Sequence, residues 1–176
     1  MERDKAFSKI LEAYKEEDSK EEKTRGNVLK DTSKGYFVPS NMKKAYDFFK
    51  LIKLEKYRNF IDLGSGDGRI VLIASLFTKS AGIESDEEIY EKSRIMKKKL
   101  GLNAVLKKVD YMGFDISKYD AVYMYPDKEF TKALTDKLKK ELKGDLLLFS
   151  GTFLPEALET REIKVDWMEF YICRNR

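Results

Sequence analysis

The chain has 176 residues and a mass of 20.6 kDa, the size of one domain, and at 42% hydrophobic and 38% charged it has the composition of a globular protein with a heavily charged surface. It contains no histidine and one cysteine, Cys173, which excludes a Ser-His-Asp triad, an imidazole general base, a His-ligated metal, a zinc ribbon and any intramolecular disulfide. Lys and Arg outnumber Asp and Glu by 35 to 31, a formal charge of +4, and the two signs are interspersed rather than gathered into the basic stripe of a protein that lives on phosphate contacts.

The longest apolar run, Ile70 to Phe77, contains Ser75 and falls far short of the roughly 20 residues that span a bilayer. The start, Met1-Glu2-Arg3-Asp4-Lys5, has no apolar h-region, so neither a membrane span nor a secretory signal is expected. With so little cysteine, a reducing cytoplasm is the expected compartment. Rich Lys and Glu usage points to a thermophilic source.

Phe7, Ile10, Leu11 and Tyr14 fall at helical spacing, after which Lys15 to Arg25 is almost wholly charged or polar; residues 1–34 therefore read as a short amphipathic helix and a solvated connector. Residues 35–176 read as one domain. Met42, Ala45, Phe49 and Ile52 share a helix face that Ser40 or Asn41 can cap. Asn59 to Leu63 is a strand ending in a glycine-rich turn, followed by a buried helix over Ile70 to Phe77. A second strand covers Ser80 to Glu84. Ser85 and Glu88 form a capping-box pattern opening a helix with Ile89, Ser93, Met96 and Leu100 inward. Further strands cover Ala104 to Asp110, Ala121 to Tyr125 and Asp145 to Gly151, with a helix carrying Phe130, Leu134, Leu138 and Leu142 between the last two. The chain ends in an antiparallel pair, Arg161 to Val165 and Glu169 to Arg174. Pro39, Pro126 and Pro155 each fall before or at the start of an expected helix. Alternation of short apolar runs with helical patterns is the signature of an α/β protein built on a parallel sheet.

Chemistry concentrates in Phe60-Ile61-Asp62-Leu63-Gly64-Ser65-Gly66-Asp67-Gly68-Arg69-Ile70. Three glycines in five residues between strand and helix let the backbone take positive φ and approach a ligand. The spacing is G-x-G-x-G, not the G-x-G-x-x-G of a dinucleotide fingerprint. Asp62, just ahead of the loop, would repel a pyrophosphate and attract a ligand ammonium, which favours a zwitterionic amino-acid group. Glu84, twenty residues after Gly64, closes the second strand, where a carboxylate can accept both hydroxyls of a ribose. Asp110 can accept from an adenine amino group, with Tyr111 and Met112 available to cover the ring. Each acid taken singly also reads as a solvated strand-end residue; the three together, at the carboxyl ends of consecutive strands, mark where open α/β sheets bind ligands.

The segment Asp62 to Gly68 resembles the first motif of the class I, seven-strand S-adenosylmethionine-dependent methyltransferases, with Glu84 and Asp110 at that family's second and third acidic positions. The resemblance implies a three-layer Rossmann-like fold with strand order 3-2-1-4-5-7-6, the seventh strand antiparallel and helices on both faces. It also implies S-adenosylmethionine as cofactor, held by Asp62, Gly64, Ser65, Gly66, Gly68, Glu84, Asp110 and Tyr111, with no metal. Together with Tyr36-Phe37-Val38-Pro39-Ser40 ahead of a helix, Asp-Leu-Gly-Ser-Gly-Asp-Gly-Arg-Ile resembles the small archaeal broad-specificity protein-lysine methyltransferases and their mitochondrial relatives. The fourth-strand motif reads Tyr123-Met124-Tyr125-Pro126-Asp127 and departs from the Asn-Pro-Pro-Tyr of enzymes that methylate base amines. Tyr125 and Tyr36 are candidates for an aromatic wall around the reacting amine and sulfonium, and Asp127 or Glu129 for attracting an incoming cation. The expected partners are proteins presenting lysine side chains. RNA, a small molecule, or a noncatalytic cofactor-binding role stand as alternatives, RNA on the basic clusters Lys97-Lys98-Lys99 and Lys137 to Lys143.

Overall fold

The computed structural model describes residues 2–26, 30–32, 35–149 and 152–175. Helix α1 runs from Glu2 to Arg25 and is followed by a hairpin of two short strands, Lys30–Thr32 and Gly35–Phe37. Helix α2 (Met42–Leu51) leads into the sheet, which takes β1 (Asn59–Leu63), α3 (Arg69–Ala74), β2 (Lys79–Glu84), α4 (Glu87–Leu100), β3 (Ala104–Lys108), β4 (Ala121–Met124), α5 (Lys132–Glu141), β5 (Asp145–Phe149), β6 (Glu159–Val165) and β7 (Met168–Arg174) in chain order.

In space the seven strands lie in the order β3-β2-β1-β4-β5-β7-β6, with β7 antiparallel to both neighbours and the other pairings parallel. This is the expected order. The sheet grows outward from β1 to β3 and then returns to β4 on the other side of β1. The crevice beyond the carboxyl ends of β1 and β4 is the switch point where such sheets take ligands. Helices α1 to α4 cover one face, over Phe60, Tyr123, Leu147 and Phe149. The opposite face, with Ile61, Val122, Met124, Leu146 and Leu148, is covered by α5 and by chain around Ile116 and Leu158. β4 and β5 are buried throughout, which is why they read as unbroken apolar runs rather than alternating ones.

Aromatic rings fix α2 on the sheet: Phe48 stacks on Phe170 at 4.2 Å, and Phe49 meets Phe60 and Tyr123 edge-on at 5.5 and 5.9 Å. Asn41 rather than Ser40 caps α2, its side chain accepting from the Lys44 N–H.

Several boundaries move for physical reasons. Lys15 to Arg25, expected to be a solvated connector, continues α1 as helix. Its charges find partners on the domain, Glu16 with Lys99, Asp18 with Arg69 and Glu21 with Lys92, while Phe7, Ile10, Ala13 and Tyr14 bury the first half. Asp86, not Ser85, caps α4 and accepts from the Ile89 N–H at 3.0 Å. One Glu84 oxygen takes the N–H groups of both Ser85 and Asp86 at 2.7 and 2.8 Å, which carries the extended chain one residue further before the helix begins. β3 stops at Lys108, its last partner being Glu84, so Asp110 lies in the turn beyond it. α3 ends at Ala74 instead of Phe77. Pro155 opens a turn closed by the Leu158 N–H on its carbonyl, not a helix. The expected end of the fifth strand, Ser150 and Gly151, lies outside the described residues. Among the described residues no helix is long and apolar enough to cross a membrane.

At the start of β5, buried Asp145 accepts from the Tyr57 hydroxyl and from the Arg174 guanidinium, whose second nitrogen lies 3.0 Å away. Burial raises its pKa, but hydrogen bonds from Arg174 and Tyr57 outweigh that and hold it below the ordinary value of 3.8. The folded state therefore binds fewer protons than the unfolded chain around that pH. The stabilisation is complete above 3.8 and is lost as the pH falls through the lower folded value. Asp145→Ala is expected to cost about 1–3 kcal/mol at neutral pH, measured as a lower urea midpoint, and the gap to the parent is expected to narrow in acid.

Candidate active site

The carboxyl ends of β1, β2 and β4 open into a cavity of about 530 Å³. Its floor is the turn from Gly64 to Gly68, in which all three glycines take positive φ, 77°, 53° and 82°. The turn is seated on β2, since the Gly64 and Ser65 N–H groups both donate to the Ile83 carbonyl, at 2.9 and 2.8 Å. This seating requires Gly82, where a Cβ would lie 2.5 Å from Val71 and 2.7 Å from the Ser65 hydroxyl. At Gly66 a Cβ would come within 2.7 Å of the Phe37 ring, so the segment before α2 lies against the loop.

Glu84 couples loop and sheet. One of its oxygens accepts from the Gly66 N–H at 3.0 Å while the other holds Ser85 and Asp86. Three of its roughly four acceptor positions are thus occupied by backbone, so it shapes the loop as well as presenting charge to the cavity. Asp110 accepts from the Met112 N–H at 2.9 Å and caps the short 3-10 turn Tyr111–Gly113. Asp62, Gly64, Ser65, Gly66, Glu84, Asp110 and Tyr111 all line the one cavity. Gly68 sits behind it as the N-cap of α3, facing Ser93. At the mouth, Tyr125 is 40% exposed and stands edge-on to Phe149 at 5.0 Å, beside Pro126 and the exposed Asp127 and Glu129. The Tyr36 side chain lies outside the described residues.

Four contributions were not visible in sequence. Tyr14 of α1 donates to the Asp67 carbonyl at 2.8 Å. Arg69, 5% exposed, reaches both Asp67 oxygens through Nε at 3.0 Å and Asp18 of α1 at 2.9 and 3.3 Å, and lies over the Tyr14 ring. The far side of the loop is therefore bolted to the N-terminal helix. Phe37 supplies a wall. Tyr123, in the middle of a buried strand, brings a hydroxyl to the cavity that has no hydrogen-bond partner among the described residues. Its signal in the sequence was a phenol between Val122 and Met124, a polar atom in an otherwise apolar run. The contacts of α1 left no local signal.

Asp62 is 3% exposed. Burial first, then the Glu84 and Asp67 carboxylates, push its pKa well above 3.8. A group whose folded pKa is raised costs stability as the pH climbs from 3.8, and the cost is complete above the folded value. Asp62→Asn keeps the shape and removes the charge. At neutral pH it is expected to raise the melting temperature of the free protein by roughly 2–4 °C, measured by calorimetry.

The group implied by the sequence is a nucleoside joined to an amino acid through a sulfonium, and the cavity fits it. The loop has no room for a Cβ at Gly66, a buried carboxylate at Asp62 lies among other carboxylates where a cation would relieve it, and a hydroxyl at Tyr123 stands without a partner among the described residues. Among the described residues no cluster of His, Cys, Asp or Glu is arranged to hold a metal ion.

Comparison with known proteins agrees with this geometry. Residues 62–161, more than half of the chain, match the ANTKMT methyltransferase domain. A protein-lysine N-methyltransferase of Saccharolobus islandicus (strain REY15A) is 31% identical over 136 residues, 74% of this chain and 84% of that protein. Among solved structures, an RNA methyltransferase from Salinibacter ruber in complex with S-adenosyl-L-homocysteine is similar with a TM-score of 0.64 at 24% identity, over 77% of this chain and 92% of that one. A putative methyltransferase from Escherichia coli, yhhF, is similar with a TM-score of 0.60 at 17% identity, over 79% and 90%. These two likenesses are of fold. The family match, the sheet order and the glycine loop with its acids at consecutive strand ends converge: the chain belongs to the ANTKMT methyltransferase domain family and is an S-adenosylmethionine-dependent methyltransferase.

Proposed function

We propose that the enzyme methylates the ε-amine of lysine side chains in proteins. The observation that carries this reading is the mouth of the cavity, where Tyr125, Pro126, Asp127 and Glu129 stand in place of an amide clamp for a base amine. An aromatic face and exposed carboxylates suit a long aliphatic cation. The protein-lysine relative supports the same reading.

Placement of the basic clusters argues against RNA. α4 starts at the carboxyl end of β2 and carries Lys97, Lys98 and Lys99 in its last turn, about 20 Å away along the axis. Lys99 is paired with Glu16. α5 likewise ends on the far side of the sheet, and Lys137 is folded inward onto the Phe114 carbonyl and Glu141. A phosphate backbone lying across the cavity would meet Asp127, Lys128 and Glu129, two acids to one base, rather than these lysine clusters.

S-adenosylmethionine supplies a methyl group on a sulfonium that departs as a neutral thioether. The chain's own residues act by positioning, holding amine, methyl and sulfur in line and keeping water out. We assign the cofactor to Asp62, Gly64, Ser65, Gly66, Gly68, Glu84, Asp110 and Tyr111, and the amine channel to Tyr125 and Tyr36. Asp127 and Glu129 attract the lysine cation at the rim. The amine must shed a proton before its lone pair can form the N–C bond; an apolar channel lowers a lysine pKa from about 10.4 by desolvation, and the proton leaves to solvent. Absence of histidine is no obstacle to such a displacement. The cytoplasm is the proposed compartment, supported by one buried free cysteine, Cys173.

Gly66→Ala and Glu84→Ala are each expected to weaken S-adenosylhomocysteine binding at least about ten-fold, by titration calorimetry; affinities equal to the parent would remove these residues from the site. Incubated with cell extract and radiolabelled S-adenosylmethionine, the enzyme is expected to label macromolecules whose counts are destroyed by protease and recovered as methyllysine after hydrolysis. Counts destroyed by ribonuclease instead would overturn the lysine assignment, and cofactor binding without any product would make the protein a sensor.

A further inference from the structure

Beyond the loop and its acids, the cavity wall carries one polar group that packing does not explain. Tyr123 is 1% exposed. Its ring is held by Phe49 at 5.9 Å and Phe60 at 6.0 Å, contacts that a phenylalanine would make equally well. The hydroxyl is the only part of the residue left over, and it is buried without a hydrogen-bond partner among the described residues. A buried hydroxyl in that state costs free energy, and native structures keep few of them unless something else completes the bond.

Its position says what completes it. Tyr123 is paired with Asp62 in the β1–β4 register, so the two side chains rise side by side from the same face of the sheet into the same cavity. We infer that the Tyr123 hydroxyl binds the amino-acid end of S-adenosylmethionine, its oxygen accepting a hydrogen bond from the α-ammonium whose charge Asp62 balances. A carboxyl group and a phenol that line one cavity with no hydrogen bond between them present two acceptors to it, which suits a cation carrying several N–H donors. Burial pushes the phenol far above its ordinary pKa, with the neighbouring Asp62 and Tyr125 adding to it, so it stays neutral and accepts without adding charge to the cavity. The inference rests on the cofactor identified above and deepens it by naming a residue outside the glycine and acid motifs.

The test compares wild type and Tyr123→Phe by titration calorimetry with two ligands, S-adenosylhomocysteine and 5′-methylthioadenosine; the second keeps the nucleoside and thioether but has no amino-acid group. The variant is expected to lose about ten-fold or more in affinity for S-adenosylhomocysteine and to bind 5′-methylthioadenosine within about two-fold of wild type. Its melting temperature without ligand is expected to equal or exceed that of wild type. Unchanged S-adenosylhomocysteine affinity, or an equal loss for both ligands, overturns the inference. A lowered melting temperature also overturns it, because the hydroxyl would then have a partner inside the fold. A fall in kcat with S-adenosylhomocysteine affinity retained would overturn it in favour of contact with the methyl acceptor. Failure of the wild type to bind either ligand would instead sink the cofactor assignment, an outcome distinct from all of these.

Discussion

A carboxyl group buried beside two other acids sets the terms for this protein. Asp62 sits at the end of a central strand, shut away from water, with the carboxylates of Glu84 and Asp67 acting on it. Desolvation and like charge both disfavour its ionised form, so the folded chain alone is under electrostatic strain in the cavity that Asp62 lines. An α-ammonium seated there, as proposed, relieves that strain. Under that proposal, binding energy is stored as an unfavourable arrangement in the free protein and released when a cation arrives, a common way for a site to trade stability for affinity.

The neighbouring structure confines this arrangement. A glycine turn with three left-handed residues would not hold one shape on its own, and its contacts come from every side: the Ile83 carbonyl beneath, Glu84 beside, Phe37 in front and the Tyr14, Asp18 and Arg69 group behind. Arg69 is almost completely buried, yet it is matched by two carboxylates and a tyrosine ring, so its charge is compensated in a way that the Asp62 charge is not. The contrast separates the two kinds of buried ion in the site. One fastens the loop; the other waits for a partner.

What could be read in the sequence was what local spacing encodes. The strand Asn59–Leu63, the Gly64-Ser65-Gly66-Asp67-Gly68 turn and Glu84 at the next strand end are contiguous or separated by one helix, so composition and offset sufficed to bring them to one cavity. Strand order came from the resemblance of that loop to the class I methyltransferases rather than from spacing, and the sheet has that order. Long-range effects stayed hidden. Lys15 to Arg25 looks like a solvated connector because its partners, Arg69, Lys92 and Lys99, are fifty or more residues away. Ser85 and Asp86 are both good caps, and the choice between them was made by a side chain, Glu84, whose preference for two backbone N–H groups no propensity records. Tyr123 does not stand out in the sequence because an aromatic in a buried strand is ordinarily core, as its ring is; only its hydroxyl is left without a partner among the described residues.

The bolt between α1 and the loop also bears on how the molecule comes into being. A helix with one short apolar stripe and a charged remainder has little to stabilise it in isolation. Its second half is given purpose by Arg69, and Arg69 is fixed only once β1 and α3 are in place. Docking of α1 therefore depends on the first strand and helix of the sheet, and the glycine loop has its full set of contacts only when that helix is in place.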